Sequence, residues 1–350
     1  MIYRIVLDGT DIYGLSQDME IISPSVNIEL NTAGTLSFSL PPFHKKYDAP
    51  KLMMSDVEVY EHDDLIWYGR IVEIDTSFNK NKTINCEGAL AYFNDTIQRP
   101  YEYSSDTTTV HSFFNSVINN HNSQVSQHRQ FTVGNITVPD RSIYRKVSYE
   151  KTLDVINEQC LETEGGYLFF RKEDGVNYID WLASMPYYAS QPIQFGLNLT
   201  DLTTSMDGTA ICTSVIPLGM DSDNNYVDIT SVNGGLDYID SEAVDTCGRI
   251  VQVVTFDDLS VPSEIMVAGQ KWLANQVYQP FSVECSAAEL NYLDPSYKTF
   301  KVGQNVHVIS MPHLIDTYLP LNKMQINLDS AVKKITVGNQ FKRELTEIYK

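Results

Sequence analysis

Asp56-Val57-Glu58-Val59, Val72-Glu73-Ile74-Asp75 and Ile84-Asn85-Cys86-Glu87-Gly88 are echoed by Asn305-Val306-His307-Val308, Ile326-Asn327-Leu328-Asp329 and Ile335-Thr336-Val337-Gly338. Each set alternates apolar and polar residues at period two, the mark of strands that bury one face. One β-unit used twice accounts for the echo, and a chain carrying two related units reaches a ring of six by forming only a trimer. The spacing differs, 16 residues from Val59 to Asp75 against 21 from Val308 to Asp329. Two unrelated antiparallel meanders would also share V-x-V alternation and a closing Gly, so both explanations stand at this point.

Around the first copy the pattern is nearly all β. Ser25-Val26-Asn27-Ile28-Glu29-Leu30 and Thr35-Leu36-Ser37-Phe38-Ser39-Leu40 form an expected hairpin stopped by Pro41-Pro42. Val57 and Val59 open the next strand, Asp63-Asp64 turns it, and Ile66-Trp67-Tyr68-Gly69-Arg70 returns toward Val72. Residues 1–98 are therefore expected to form a small antiparallel barrel or sandwich.

Near residue 99 the texture changes. Val110, Phe113, Phe114, Val117 and Ile118 fall at helical spacing, with Asp106 placed to cap. A second helix is expected over residues 149–164, capped by Ser148 and ended by Gly165-Gly166. A hairpin follows, Tyr167-Leu168-Phe169-Phe170 turning at Glu173-Asp174-Gly175 into Val176-Asn177-Tyr178-Ile179-Asp180-Trp181, so residues 99–193 read as an α+β domain.

Leu199-Thr200-Asp201-Leu202, a turn at Asp207-Gly208, and residues 210–219 correspond in kind to the hairpin at 25–40. The continuation comes only at Phe281-Ser282-Val283-Glu284-Cys285. A second barrel over 194–219 and 280–350 is thus expected, split by an inserted domain at 220–279. The insert holds one helix, opening with Pro262, running through Ile265, Gly269, Trp272 and Leu273 to Val277, and closed by Pro280. The fold class is mainly β with α+β parts: two related antiparallel β-barrels plus two smaller domains.

At 350 residues, with 43% hydrophobic and 20% charged residues, the chain is long enough for several domains and too apolar for disorder. A formal charge of −20 argues against nucleic-acid binding, which draws on clustered Lys and Arg. The same charge serves solubility, and it would also suit the wall of a passage that DNA slides through. Neither a signal-peptide core at the N-terminus nor a membrane-length apolar run is present in the sequence. Five cysteines, at 86, 160, 212, 247 and 285, have no CxxC pair and are read as buried thiols.

Catalytic signatures are sparse. The seven His include no HExxH, and His121 and His128 flank a polar loop read as solvated. There is no GxSxG and no Gly-rich phosphate loop. Glu158, Glu162, Glu164, Asp63-Asp64 and Asp257-Asp258 could supply glycosidase carboxylates, but among 45 acidic residues such pairs arise by chance. The loop from Asp221 to Asp228 begins like a calcium loop and lacks the Gly at position six and Glu at position twelve, so it reads as a turn beside a strand. No catalytic, metal or cofactor residue is assigned, and a non-enzyme is expected.

The runs Thr213-Ser214-Val215-Ile216-Pro217-Leu218-Gly219, Val227–Ile239 with its Asn233-Gly234-Gly235, Cys247-Gly248-Arg249-Ile250 and Phe256-Asp257-Asp258-Leu259 resemble phage tail hub proteins of Gram-positive hosts, the tail-associated lysin or prophage endopeptidase tail family. Ala33-Gly34-Thr35-Leu36, Ala288-Glu289-Leu290 and Lys301-Val302-Gly303-Gln304 fit the same order of segments. The resemblance implies two tube-type barrels per chain and a homotrimer matching a six-fold tail tube. Its implied partners are the tail tube protein, distal tail protein rings, the tape measure protein, and a spike, fibre or separate lytic protein below, with DNA passing through unbound. It also implies a place at the virion tail tip after assembly in the bacterial cytoplasm, with no membrane anchor. Relatives continue past this point into lytic or fibre domains, and their activity is not expected of residues 1–350. The alternatives are a peptidoglycan hydrolase and a carbohydrate-binding adhesin using Trp67 or Trp181.

Overall fold

The computed structural model describes residues 2–206, 211–221, 225–256, 259–276, 281–330 and 332–338. They fall into two units, Met1–Leu202 with Cys285–Val337, and Thr203–Glu284 with Gly338–Lys350.

The first unit begins with six longer strands, β1 (Tyr3–Leu7), β2 (Ile22–Glu29), β3 (Thr35–Leu40), β4 (Asp56–Glu61), β5 (Asp64–Thr76) and β6 (Lys82–Gly88), besides the two-residue strand Thr10–Asp11 that pairs with β1. They lie side by side in the order β2-β3-β6-β5-β4-β1. Period-two patterning fixes which face is buried: Leu36, Phe38 and Leu40 of β3, Val57 and Val59 of β4, and Ile84 and Cys86 of β6 all face the core. Burying each large aliphatic or aromatic side chain contributes roughly 1.5–3 kcal/mol. Where the sequence suggested two segments at 66–70 and 72–75, one 13-residue strand runs through. Residues 64–70 of β5 pair with β4 and residues 69–76 with β6, with a bulge between Ile71 and Glu73. The extra residue turns the strand from one partner to the next.

Helix α1 (Val110–Asn122) buries the expected apolar stripe. Its cap is Thr109, reciprocally bonded with Ser112, and not Asp106. Next come β7 (Phe131–Ile136) and the short helix α2 (Thr152–Val155), which widens into a π-type stretch over Ile156–Glu162. The cap position is Lys151, not Ser148, and Gly165 and Gly166 end the segment at φ +76° and +93°. The expected hairpin is β8 (Tyr167–Glu173) with β9 (Val176–Leu182), and β9 also pairs in parallel with β7. Phe113, Phe114, Phe131 and Trp181 share one core with Tyr68, Leu90, Tyr92 and Phe93.

The strands then continue as β10 (Tyr187–Tyr188), β11 (Ile193–Gln194) and β12 (Leu199–Met206), followed by β13 (Ser214–Met220) and β14 (Val251–Phe256). After helix α3 (Pro262–Gln276) come β15 (Phe281–Ala288), β16 (Gln304–Ser310), β17 (Ile315–Asn327) and β18 (Val332–Gly338). The order β12-β15-β18-β17-β16 repeats that from β2 to β4; beyond β16 the short strands β10 and β11 run parallel to it, where β1 is antiparallel to β4. β17 is again 13 residues long and again bulged, between Leu321 and Lys323, where it leaves β16 for β18. The partner of β12 is β15, so the hairpin expected between 199–202 and 210–219 does not form; the turn at Asp207-Gly208 lies outside the described residues. The two repeats join where β17 pairs with β2, giving one open sheet rather than two closed barrels among the described residues.

In the second unit β13 is central, antiparallel to two-residue strands Tyr226–Val227 and Ile239–Asp240 and parallel to β14. Cys212, Val215 and Leu273 form its core. Gly269 lets α3 approach, since a Cβ there would stand 2.7 Å from Pro217. Val277 and Pro280 lie outside the described residues.

Candidate functional site

The repeat extends to single residues. Pairing aligns Asp56, Val57, Glu58 and Val59 with Asn305, Val306, His307 and Val308, since Glu58 faces Tyr68 and His307 faces Tyr318. The bulges align Val72 with Asn322, so the counterpart of Val72-Glu73-Ile74-Asp75 is Asn322-Lys323-Met324-Gln325 and not the stretch at 326–329. The measured spacing is then 13 residues from Val59 to Val72 and 14 from Val308 to Asn322. Just before the bulge the same bond recurs: Met53 N–H donates to Ile71 O at 2.8 Å, and Gly303 N–H to Leu321 O at 3.0 Å. Both donors are left-handed, at φ +59° and +88°.

At the junction of the repeats, β17 pairs with β2 from Lys323 opposite Glu29 to Asn327 opposite Ser25. Leu30 N–H donates to Asn322 O at 2.9 Å, and Lys323 Nζ lies 3.0 Å from Glu29 Oε2. Beside it, Asn31 at the β2–β3 turn accepts from Leu168 N–H at 2.8 Å and donates to Gly166 O at 3.3 Å, fixing the α+β segment to the first repeat.

A second link is sealed inside. Lys333 Nζ, from β18, lies 2.8 Å from Glu61 Oε2 at the end of β4 and 2.7 Å from Glu289 Oε1 just past β15, with all three side chains at most 1% exposed. Glu289 also accepts from Phe300 N–H at 3.0 Å and from Gln191, whose own Oε1 takes Leu290 N–H. Among the described residues Glu61 Oε1 has no hydrogen-bond partner. Burial, then the nearby Glu61 charge, pushes the Tyr3 phenol far up, and Tyr292 beside it is pushed up to about 12 by burial. Two carboxylates and a lysine could transfer protons, but with no exposed surface they meet no substrate. Their chemistry is that of a clamp, in which one cation holds strands from both repeats. The signal was present in the sequence: Glu61 shares parity with Val57 and Val59, and Lys333 with Ile335 and Val337, so each charge falls on an inward face.

The other candidates do not converge. His121 is buried, its ring bonded to Thr96 Oγ1 at 2.8 Å and Arg129 O at 3.1 Å, whereas a solvated loop was expected; His128 is exposed. Glu158 and Glu162 are exposed, and Glu164 bridges Arg141 and Arg145 at 2.7 and 2.8 Å. Asp64 pairs with Lys301 at 2.7 Å, and Asp257-Asp258 lie outside the described residues. Asp221 accepts from Asn225 N–H at 2.8 Å and Asp228 from Thr230 N–H at 3.0 Å, which makes these acids local turn caps; residues 222–224 are not described. Among the described residues no three His, Cys, Asp or Glu side chains gather to hold a metal. Cys86, Cys160 and Cys212 are free and buried, Cys285 is buried as well, and the Cys247 side chain is not described. Burial pushes the Cys160 thiol up to about 12. Trp67 and Trp181, named as adhesin contacts, are 5% and 0% exposed and belong to the core. A largely apolar cavity of about 220 Å³, bordered by Ala33, Trp67, Leu90 and Phe169, is smaller than the usual ligand pocket. No helix among the described residues is long and apolar enough to cross a membrane.

Residues 188–348 match the family model described as prophage endopeptidase tail. No curated protein matches the chain. Among solved structures it is similar to the 43 kDa tail protein of prophage MuSo2 from Shewanella oneidensis, at 10% identity over 96% of this chain and 98% of that one, with a TM-score of 0.65. The tail protein from Neisseria meningitidis MC58 is 12% identical over 96% of both chains, with a TM-score of 0.67. Prophage tail protein gp18 from Listeria monocytogenes EGD-e is 15% identical over 99% of this chain and 97% of that one, with a TM-score of 0.59. Residues 188–348 are thus similar in sequence to the prophage endopeptidase tail family, and the chain shares the fold of prophage tail proteins over nearly its full length.

Proposed function

We propose that this chain is the hub at the tip of a phage or phage-derived tail, a homotrimer that adapts a six-fold tail tube to the tip, spike or fibre components below it. One observation carries the reading: the same order of strands occurs twice in one chain, down to the bulge and the bond that precedes it. Two units per chain and three chains give six similar positions, the number a tube-type ring needs. The tail tube protein, distal tail rings and the tape measure protein would meet the ring from above. Its formal charge of −20 suits a channel wall that repels DNA phosphates. Assembly would take place in the host cytoplasm.

Cryo-EM of the assembled tail tip tests this directly. Three copies presenting six tube-like units around one axis are expected; a stable monomer with no tube-like face would end the idea. The family description includes an endopeptidase, which keeps a cell-wall hydrolase as the second reading. Zymography on peptidoglycan with the full chain separates the two, because the hub reading expects no clearing.

A further inference from the structure

Inside the chain the two repeats meet through two different strand edges. One is the part of β17 past its bulge, residues 323–327, which has β18 on one side and β2 on the other. Its counterpart in the first repeat is residues 73–76 of β5, which have β6 on one side and no strand on the other among the described residues. Up to the bulge that edge of β5 is covered, since Ile71 bonds to Met53 and Ser55; beyond it, coverage stops. The second edge is that of β2, and its counterpart is β12, which has β15 on one side and, apart from an isolated bridge between Phe195 and Leu199, no other strand partner among the described residues. Thr200, Asp201, Thr203 and Thr204 are exposed there, as are Glu73, Asp75 and Thr76.

A contact between two different edges is heterologous, and once made within a chain it can be made again between copies until a ring closes. We propose that residues 199–204 of β12 in one copy add as a strand to residues 72–76 of β5 in a second copy, repeating between chains the junction that β2 makes with β17. This rests on the reading of the chain as part of a ring of repeats, and names the edges that form the ring.

The charges differ from the internal junction. There Lys323 meets Glu29 at 3.0 Å; Lys323 is replaced in the first repeat by Glu73, Asp75 follows, and β12 brings Asp201. Acid would face acid, a common way of keeping an edge strand from pairing prematurely. Screening shortens from about 30 Å at 0.01 M salt to about 8 Å at 0.15 M, so salt should strengthen this contact, opposite to an interface held by ion pairs.

The full chain is prepared as Glu73→Cys and, separately, as Thr200→Cys, Asp201→Cys and Thr203→Cys. Mixing the first with one of the others should give a disulfide-linked pair that rises with salt, while no variant alone does so. Hydrogen exchange of wild-type residues 72–76 and 199–204 should slow about tenfold or more on association. An oligomer that forms with no mixed cross-link and unchanged exchange at both edges overturns the edge pairing and leaves the ring reading standing. Absence of any oligomer at all salt concentrations and in the tail particle overturns both.

Discussion

Removing Lys333 would strand two buried carboxylates. Lys333→Met should cost on the order of 3–5 kcal/mol, read as a fall in the urea midpoint, and adding Glu61→Gln should recover part of it. His121 gives a pH dependence. Burial holds its imidazole below the ordinary histidine range, against the weaker opposing pull of Arg129 O and Asp95. Below about pH 6.5 the unfolded chain therefore binds a proton that the folded chain refuses, and stability falls as pH drops toward the lowered folded value. In thermal melts from pH 7.5 down to 5, His121→Gln should show a flatter decline than the wild type. Inward parity made Glu61 and Lys333 legible in the sequence, but Glu289 follows a strand end and carried no such signal. That the three converge depends on pairings between residues 272 positions apart.

At the scale of elements, β5 and β17 show why the repeat was visible and yet misaligned. A bulge inserts one residue and reverses the parity beyond it, so a period-two reading splits each 13-residue strand into fragments. Val72 is apolar and its counterpart Asn322 is not, which hid the true alignment, while the β4 word aligned correctly with β16 and Ile84-Asn85-Cys86 with Ile335-Thr336-Val337, the closing glycines falling one residue apart. The hairpin assigned to 199–219 failed for a related reason: β13 has the alternation of a partner for β12, but its neighbours all lie within the insert. The left-handed position before the bulge yields a paired prediction. Met53 is 40% exposed at φ +59°, where Gly303 stands in the other repeat. Met53→Gly should be neutral to stabilising by about 1 kcal/mol. Gly303→Ala should destabilise by more than that, since its Cβ would fall 2.1 Å from Phe169 Cε1. Denaturant titration of both variants checks the pair.

At the scale of the whole molecule, the helices and the β8–β9 hairpin were readable locally. The open sheet and the internal junction were not, because they depend on which distant strands pair. The turn joining β2 to β3 spans residues 30–34, whereas the corresponding gap from β12 to β15 spans residues 207–280. The second repeat thus holds at one hairpin tip a segment with its own small core of Cys212, Val215 and Leu273. Replacing residues 207–280 by an Asn-Gly turn should leave a cooperatively unfolding protein, since that dipeptide closes two-residue hairpins. Loss of the cooperative transition would show that the sheet depends on the insert. The hairpin tip is then a socket: what it carries can be exchanged without rewriting the strands on either side.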